Sequence, residues 1–125
     1  MKKIILFTLI LFSILNLQTA FAQKEANICY FGTMAGMDFN SGSPVALTHG
    51  QLFTTEGSAP IPDANGNLLF YTEGVNVYNR LHALMPNGTG LLGGTSASQS
   101  AIILPYPGVS SKYFIFTVPN TAGGG

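Results

Sequence analysis

The chain has no tryptophan, a single cysteine, and charged side chains at only 8% of its 125 positions. Each shortage removes a class of explanation. One thiol, Cys29, cannot close an intramolecular disulfide, so packing and backbone pairing must hold the fold. Flanked by Ile28, Tyr30 and Phe31, it reads as a small buried apolar residue rather than a reactive thiol. Beyond position 22 the charges are Lys24, Arg80 and Lys112 against Glu25, Asp38, Glu56, Asp63 and Glu73, a net −2, and no acidic residue follows Glu73. Without clustered Lys and Arg to displace counterions, a nucleic-acid partner is not expected. Helical periodicity is missing too: no segment longer than a few residues repeats apolar residues at i, i+3, i+4 and i+7.

A run long enough to cross a bilayer is also lacking. The longest apolar stretch, 4–17, is 14 residues interrupted by Thr8, Ser13 and Asn16, against roughly 20 for a membrane-spanning helix. Its setting has another meaning. Lys2 and Lys3 precede it, and Ala20-Phe21-Ala22 places small residues where a signal peptidase reads, with Gln23 as the new first residue. Residues 1–22 are therefore expected to be a cleaved signal peptide, and 23–125 an exported domain with no membrane span. Cys29 lies beyond the cleavage point and follows Ile28 rather than a small residue, so a lipid anchor is not expected.

What remains is rich in Gly, Ser, Thr, Asn and Pro, which punctuate short strands. Strands are expected at 27–31, 45–47, 51–54, 58–61, 67–72, 75–79, 99–104 and 112–118. Glu73-Gly74 reads as a two-residue hairpin turn pinning 68–72 against 75–79, because Gly accepts positive φ without steric cost. One unit is written twice. Ser58-Ala59, Pro60-Ile61-Pro62, a polar turn and Leu68-Leu69-Phe70-Tyr71-Thr72 are echoed by Ser100-Ala101, Ile102-Ile103-Leu104, a turn and Tyr113-Phe114-Ile115-Phe116-Thr117. Ser58 to Ser100 is 42 positions and Thr72 to Thr117 is 45, within the roughly 40 to 45 of a four-stranded propeller blade. The expected fold is all-β, a partial β-propeller of about two blades of antiparallel sheet. Since a ring needs at least four blades, the domain is expected to be incomplete at its C-terminus.

Few residues carry chemistry. Gly88-Thr89-Gly90-Leu91-Leu92-Gly93 spells G-x-G-x-x-G, but no strand precedes it, no helix follows, and no acidic residue lies downstream. It reads as a loop. Asp63-Ala64-Asn65-Gly66-Asn67 alternates oxygen ligands like the start of a calcium loop, yet lacks the closing bidentate carboxylate and suits a tight turn. His49 and His82, 33 positions apart with no Cys or acidic neighbour at metal spacing, read as isolated histidines. Asn87-Gly88-Thr89 fits a glycosylation sequon, relevant only to a eukaryotic secretory pathway. Asp38, Glu56 and Glu73 carry no local signature of the paired carboxylates a glycosidase uses, and as loop carboxylates they are expected to be solvated or to cap backbone N–H groups. No catalytic, cofactor-binding or metal-binding residue is assigned.

Six segments in order carry a resemblance: Tyr30-Phe31-Gly32; Gly36-Met37-Asp38-Phe39-Asn40-Ser41-Gly42-Ser43-Pro44-Val45-Ala46-Leu47; Thr55-Glu56-Gly57; Asp63 through Thr72; Met85 through Gly93; and Gln99-Ser100-Ala101-Ile102-Ile103. They resemble the N-terminal propeller-like region of large secreted Bacteroidetes proteins, and the resemblance covers essentially all of 27–118. Those proteins end in a gliding-motility-associated (type B) sorting domain of the type IX secretion system. The chain departs from them at Tyr78, where Trp is common, at Leu81, where a polar residue is usual before the histidine, and in showing no sorting domain within residues 1–125. The resemblance implies a secreted or cell-surface protein that binds or adheres to an unidentified surface polymer or protein, and it supplies no catalytic residues. The type IX machinery would be a partner only of a full protein with the sorting domain. A structural spacer presenting other domains is the next reading, and an extracellular polysaccharide hydrolase the third.

Overall fold

A computed structural model describes residues 24–120. The expected signal peptide, 1–22, lies outside the described residues. Three antiparallel sheets follow one another along the chain. The first holds β1 (Ile28–Phe31), β2 (Ala35–Asp38) and β3 (Val45–Leu47). The second holds β4 (Ala59–Pro62), β5 (Leu68–Thr72) and β6 (Val77–Asn79), and the third β7 (Ala101–Pro105) and β8 (Tyr113–Thr117). No helix occurs among the described residues, so the fold is all-β as expected. The first strands of successive sheets pack together, β1 on β4 and β4 on β7, and the row does not close into a ring among the described residues.

Both copies of the repeated unit form hairpins in the same register: Ala59 opposes Thr72, and Ala101 opposes Thr117. Each leading serine ties its hairpin to what precedes it. The Ser58 hydroxyl donates to the Tyr30 carbonyl at 2.8 Å and the Ser100 hydroxyl to the Gly57 carbonyl at 2.7 Å. The β4–β5 turn forms because Asp63 Oδ1 accepts the N–H groups of Asn65 and Asn67, both at 2.9 Å, while Gly66 takes φ +85°. An acceptor fixed to its own backbone in this way substitutes for ladder bonds at the turn.

Three expectations are corrected. Residues 51–54 form no strand; they make one isolated bridge, Thr33 with Phe53, and lie along the β1–β2 turn through Met34 N–H to Leu52 C=O and Thr54 N–H to Gly32 C=O. β2 was not expected, because Ala35-Gly36-Met37-Asp38 contains no β-branched or aromatic residue. Its glycine answers a tertiary demand, since a Cβ at Gly36 would stand 2.6 Å from the Cys29 carbonyl oxygen and 2.9 Å from the Tyr30 ring. The hairpin after β5 exists, but Thr72 opposes Val77, so four residues, 73–76, close it rather than two. Glu73 Oε1 accepts both the backbone N–H of Asn76 (3.0 Å) and its side-chain amide (2.7 Å), which stabilises the longer loop.

The core lies between the first two sheets. Tyr30, Leu52, Leu68 and Tyr71 are buried together, with Ile28, Leu47 and Tyr78 against them; Leu52 and Leu68 each contribute about 1.5–3 kcal/mol by leaving water. Leu68 joins Tyr71 inside because Pro62 opposes Leu68 and Ile61 opposes Phe70, leaving Leu69 as an extra residue that shifts the alternation. The third sheet is thinly covered. On one face Ile102 opposes Phe116 and Leu104 opposes Phe114, and all four side chains are exposed, Phe116 by 57%.

Candidate functional site

The histidines read as isolated in the sequence are in contact. His49 lies between β3 and β4, and His82 in the turn after β6; their rings meet edge to face with centroids 4.6 Å apart. Beneath them Tyr30 and Tyr71 stack at 4.9 Å. Tyr30 Oη bonds His49 Nε2 at 3.2 Å, and Tyr71 Oη bonds His82 Nδ1 at 2.9 Å. Gln51 N–H donates to Tyr71 Oη at 3.1 Å. That last bond orders the network. With Gln51 donating to it, the Tyr71 hydroxyl directs its own proton to His82 Nδ1, since otherwise a buried O–H would lack an acceptor among the described residues. His82 is thereby set as the tautomer protonated on Nε2.

The backbone at His82 has φ +61°, a left-handed conformation that costs a non-glycine residue on the order of 1 kcal/mol. The turn enforces it: His82 N–H donates to Asn79 C=O, and Asn79 Oδ1 accepts the N–H groups of Leu81 and Ala83. Glycine would be the cheapest residue here, and the bond to Tyr71 is what a histidine adds. Burial, followed by the neighbouring His49, holds the His82 pKa below its ordinary 6.5. Burial pushes the Tyr71 phenol up to about 12, and raises Tyr30 and Tyr78 as well, with Asp38 adding to the first and Glu73 to the second.

A second feature lies between the second and third sheets. A cavity of about 570 Å³ is walled by Leu69, Phe70, Val77, Met85, Leu91, Tyr113 and Ile115, and rimmed by Asn87, Ser110 and Ser111. Phe70 and Tyr113 meet edge to face at 5.2 Å across it. Among the described residues, no ionisable group other than the Tyr113 phenol lines it. Met85-Pro86-Asn87-Gly88 shapes one wall as a turn, with Asn87 at φ +57° and Gly88 N–H donating to Met85 C=O. The G-x-G-x-x-G segment runs beside β6 and the hairpin loop: Gly88 C=O accepts from Val77, Leu91 N–H reaches Val75 C=O, and Gly93 N–H reaches Gly74 C=O. Its glycines serve close backbone approach, for a Cβ at Gly93 would collide with the Gly74 backbone.

The carboxylates are dispersed among local roles. Asp38 Oδ1 accepts Asn40 N–H at 2.7 Å, and Glu56, exposed, accepts the Ser98 hydroxyl at 3.0 Å. Asp63 is held below the usual carboxylate range chiefly by the Asn67 side-chain amide and by backbone N–H groups. Of the two roles expected for a loop carboxylate, Glu73 takes the second: its Oε1 caps Asn76 N–H, but the residue is 2% exposed rather than solvated, beside buried Thr72, and its Oε2 has no hydrogen-bond partner among the described residues. No group of three or more His, Cys, Asp or Glu suited to a metal ion occurs among the described residues. The half-buried Cys29 thiol has its pKa raised by burial, which suppresses the thiolate. The network escaped the sequence reading because its four rings stand at positions 30, 49, 71 and 82, which no local motif connects. The chain matches no family model, no curated protein and no solved structure.

Proposed function

We propose that residues 23–125 are the opening blades of an exported β-propeller that binds a surface polymer, without catalysis, in a larger protein of the gliding-associated secreted type. The resemblance of 27–118 to that region supports the reading, as does the row of antiparallel sheets whose first strands pack in sequence, β1 on β4 on β7. Its carrying observation is the cavity between the second and third sheets. At about 570 Å³ it falls in the size range of small-ligand sites, with apolar and aromatic walls and a few hydroxyl and amide groups at the rim. With no carboxylate or basic side chain in the lining, it suits a neutral sugar ring stacked on Phe70 or Tyr113.

The test is an array of neutral glycans and bacterial surface polymers probed with the exported chain and with the Phe70→Ala/Tyr113→Ala double variant. The reading expects retention of at least one neutral glycan, lost in a double variant whose circular dichroism is unchanged. Retention of none, or equal retention by the variant, would refute it.

A further inference from the structure

The histidine pair is separate from the cavity, sharing no lining residue with it. Each imidazole spends one nitrogen on a buried tyrosine hydroxyl, His49 its Nε2 and His82 its Nδ1. This leaves His49 Nδ1 and His82 Nε2 as the free edges of two rings whose centroids are 4.6 Å apart. His82 Nε2 has no partner among the described residues, yet it is not among the buried orphan atoms, so it meets solvent. The Gln51–Tyr71–His82 relay makes that nitrogen a donor. A phenol donating to His49 Nε2 does the same for His49 Nδ1, because a neutral imidazole carries its proton on the nitrogen that is not accepting.

We propose that His49 and His82 form an oxyanion-binding pair that takes the carboxylate or sulfate group of an acidic polymer. Two donors on adjoining rings match a ligand whose oxygens share one centre, and stacked tyrosines fix both rings in advance, so little rotamer freedom is lost on binding. A transition metal fits less well. It would need His82 Nε2 deprotonated, moving the proton to Nδ1 and stranding the buried Tyr71 hydroxyl without an acceptor. The groups facing the pair are the phenols of Tyr30, Tyr71 and Tyr78, with Asp38 acting on Tyr30 and Glu73 on Tyr71 and Tyr78; Arg80 stands on the same turn as His82. One oxygen of each carboxylate is already bonded, Asp38 Oδ1 to Asn40 and Glu73 Oε1 to Asn76.

The test follows the histidine ring resonances of the exported chain by NMR while sodium sulfate, sodium acetate or sodium chloride is added at matched ionic strength. Saturable shifts of both His49 and His82 with sulfate or acetate, absent with chloride, are expected, and whichever saturates at lower concentration identifies the polymer group. In His82→Gln the His49 response should collapse while circular dichroism stays native. Shifts no larger than those with chloride, or a His49 response unchanged in His82→Gln, would overturn the proposal. Failure of the neutral-glycan array would leave this result standing, because the two sites share no residue.

Discussion

Replacing Tyr71 by Phe isolates the ordering bond of the ring network. The substitution keeps the ring, its stack on Tyr30 and its pairing with Tyr78, and deletes only the hydroxyl that receives Gln51 N–H at 3.1 Å and bonds His82 Nδ1 at 2.9 Å. Two hydrogen bonds at 0.5–1.5 kcal/mol each give a loss of about 1–3 kcal/mol. Tyr71 is 0% exposed, so water does not readily replace the missing oxygen, and the upper half of that range applies. For a domain of this size, about 2 kcal/mol corresponds to a fall in Tm of roughly 10 °C. Tyr30→Phe loses one longer bond, 3.2 Å to His49, and should cost about 1 kcal/mol or less. The assay is urea unfolding at one fixed low protein concentration, with a double-mutant cycle combining Tyr71→Phe and His82→Ala. A coupling of at least about 0.5 kcal/mol is expected for bonded partners. If Tyr71→Phe were as stable as the parent, or less damaging than Tyr30→Phe, the relay from Gln51 to His82 would be wrong.

Other consequences are as direct. Leu52→Ala empties a fully buried site and should cost about 2–5 kcal/mol by urea unfolding. Gly57→Ala would push a Cβ into the Ser100 backbone nitrogen and to 2.8 Å from the Ala97 carbonyl oxygen, so it should lower stability by about 1–3 kcal/mol and detach the 95–100 segment in hydrogen exchange. Because the His82 pKa is depressed on folding, the unfolded chain binds the extra proton; stability should be full above about pH 6.5 and decline as pH falls below it, and His82→Ala should flatten that slope. The Tyr71 phenol moves the other way, from 10 to about 12, so stability should decline as pH rises above 10, a decline that Tyr71→Phe should reduce.

The hairpins β4–β5 and β7–β8 were legible because their determinants are local: short apolar runs such as 68–72, 102–104 and 113–117 flank turns that close on their own backbone, one through Asp63 and Gly66 and the other over 106–112 with Gly108 at φ +74°. β2 was illegible because its glycine answers the Tyr30 ring, a contact made only after the strands pair. The 73–76 loop was misread because Gly74 advertises a tight turn, while the carboxylate of Glu73 reaches forward to Asn76 and holds a wider one. The 51–54 segment has strand composition but bonds a turn rather than a sheet edge. The histidine pair shows the limit most plainly. Its rings stand 33 positions apart, and nothing in the neighbours of either residue signals the other until two sheets have packed.

Central to the account is a row of antiparallel sheets whose third member leaves Ile102, Leu104, Phe114 and Phe116 facing solvent within the described residues. An uncovered apolar face beside the outer edge of β8 invites association. The most direct measurement is light scattering of residues 23–125 across a range of concentrations, alongside Phe116→Lys. The account predicts concentration-dependent oligomers that Phe116→Lys weakens. A monomer at every concentration, with a sharp cooperative melt, would contradict it.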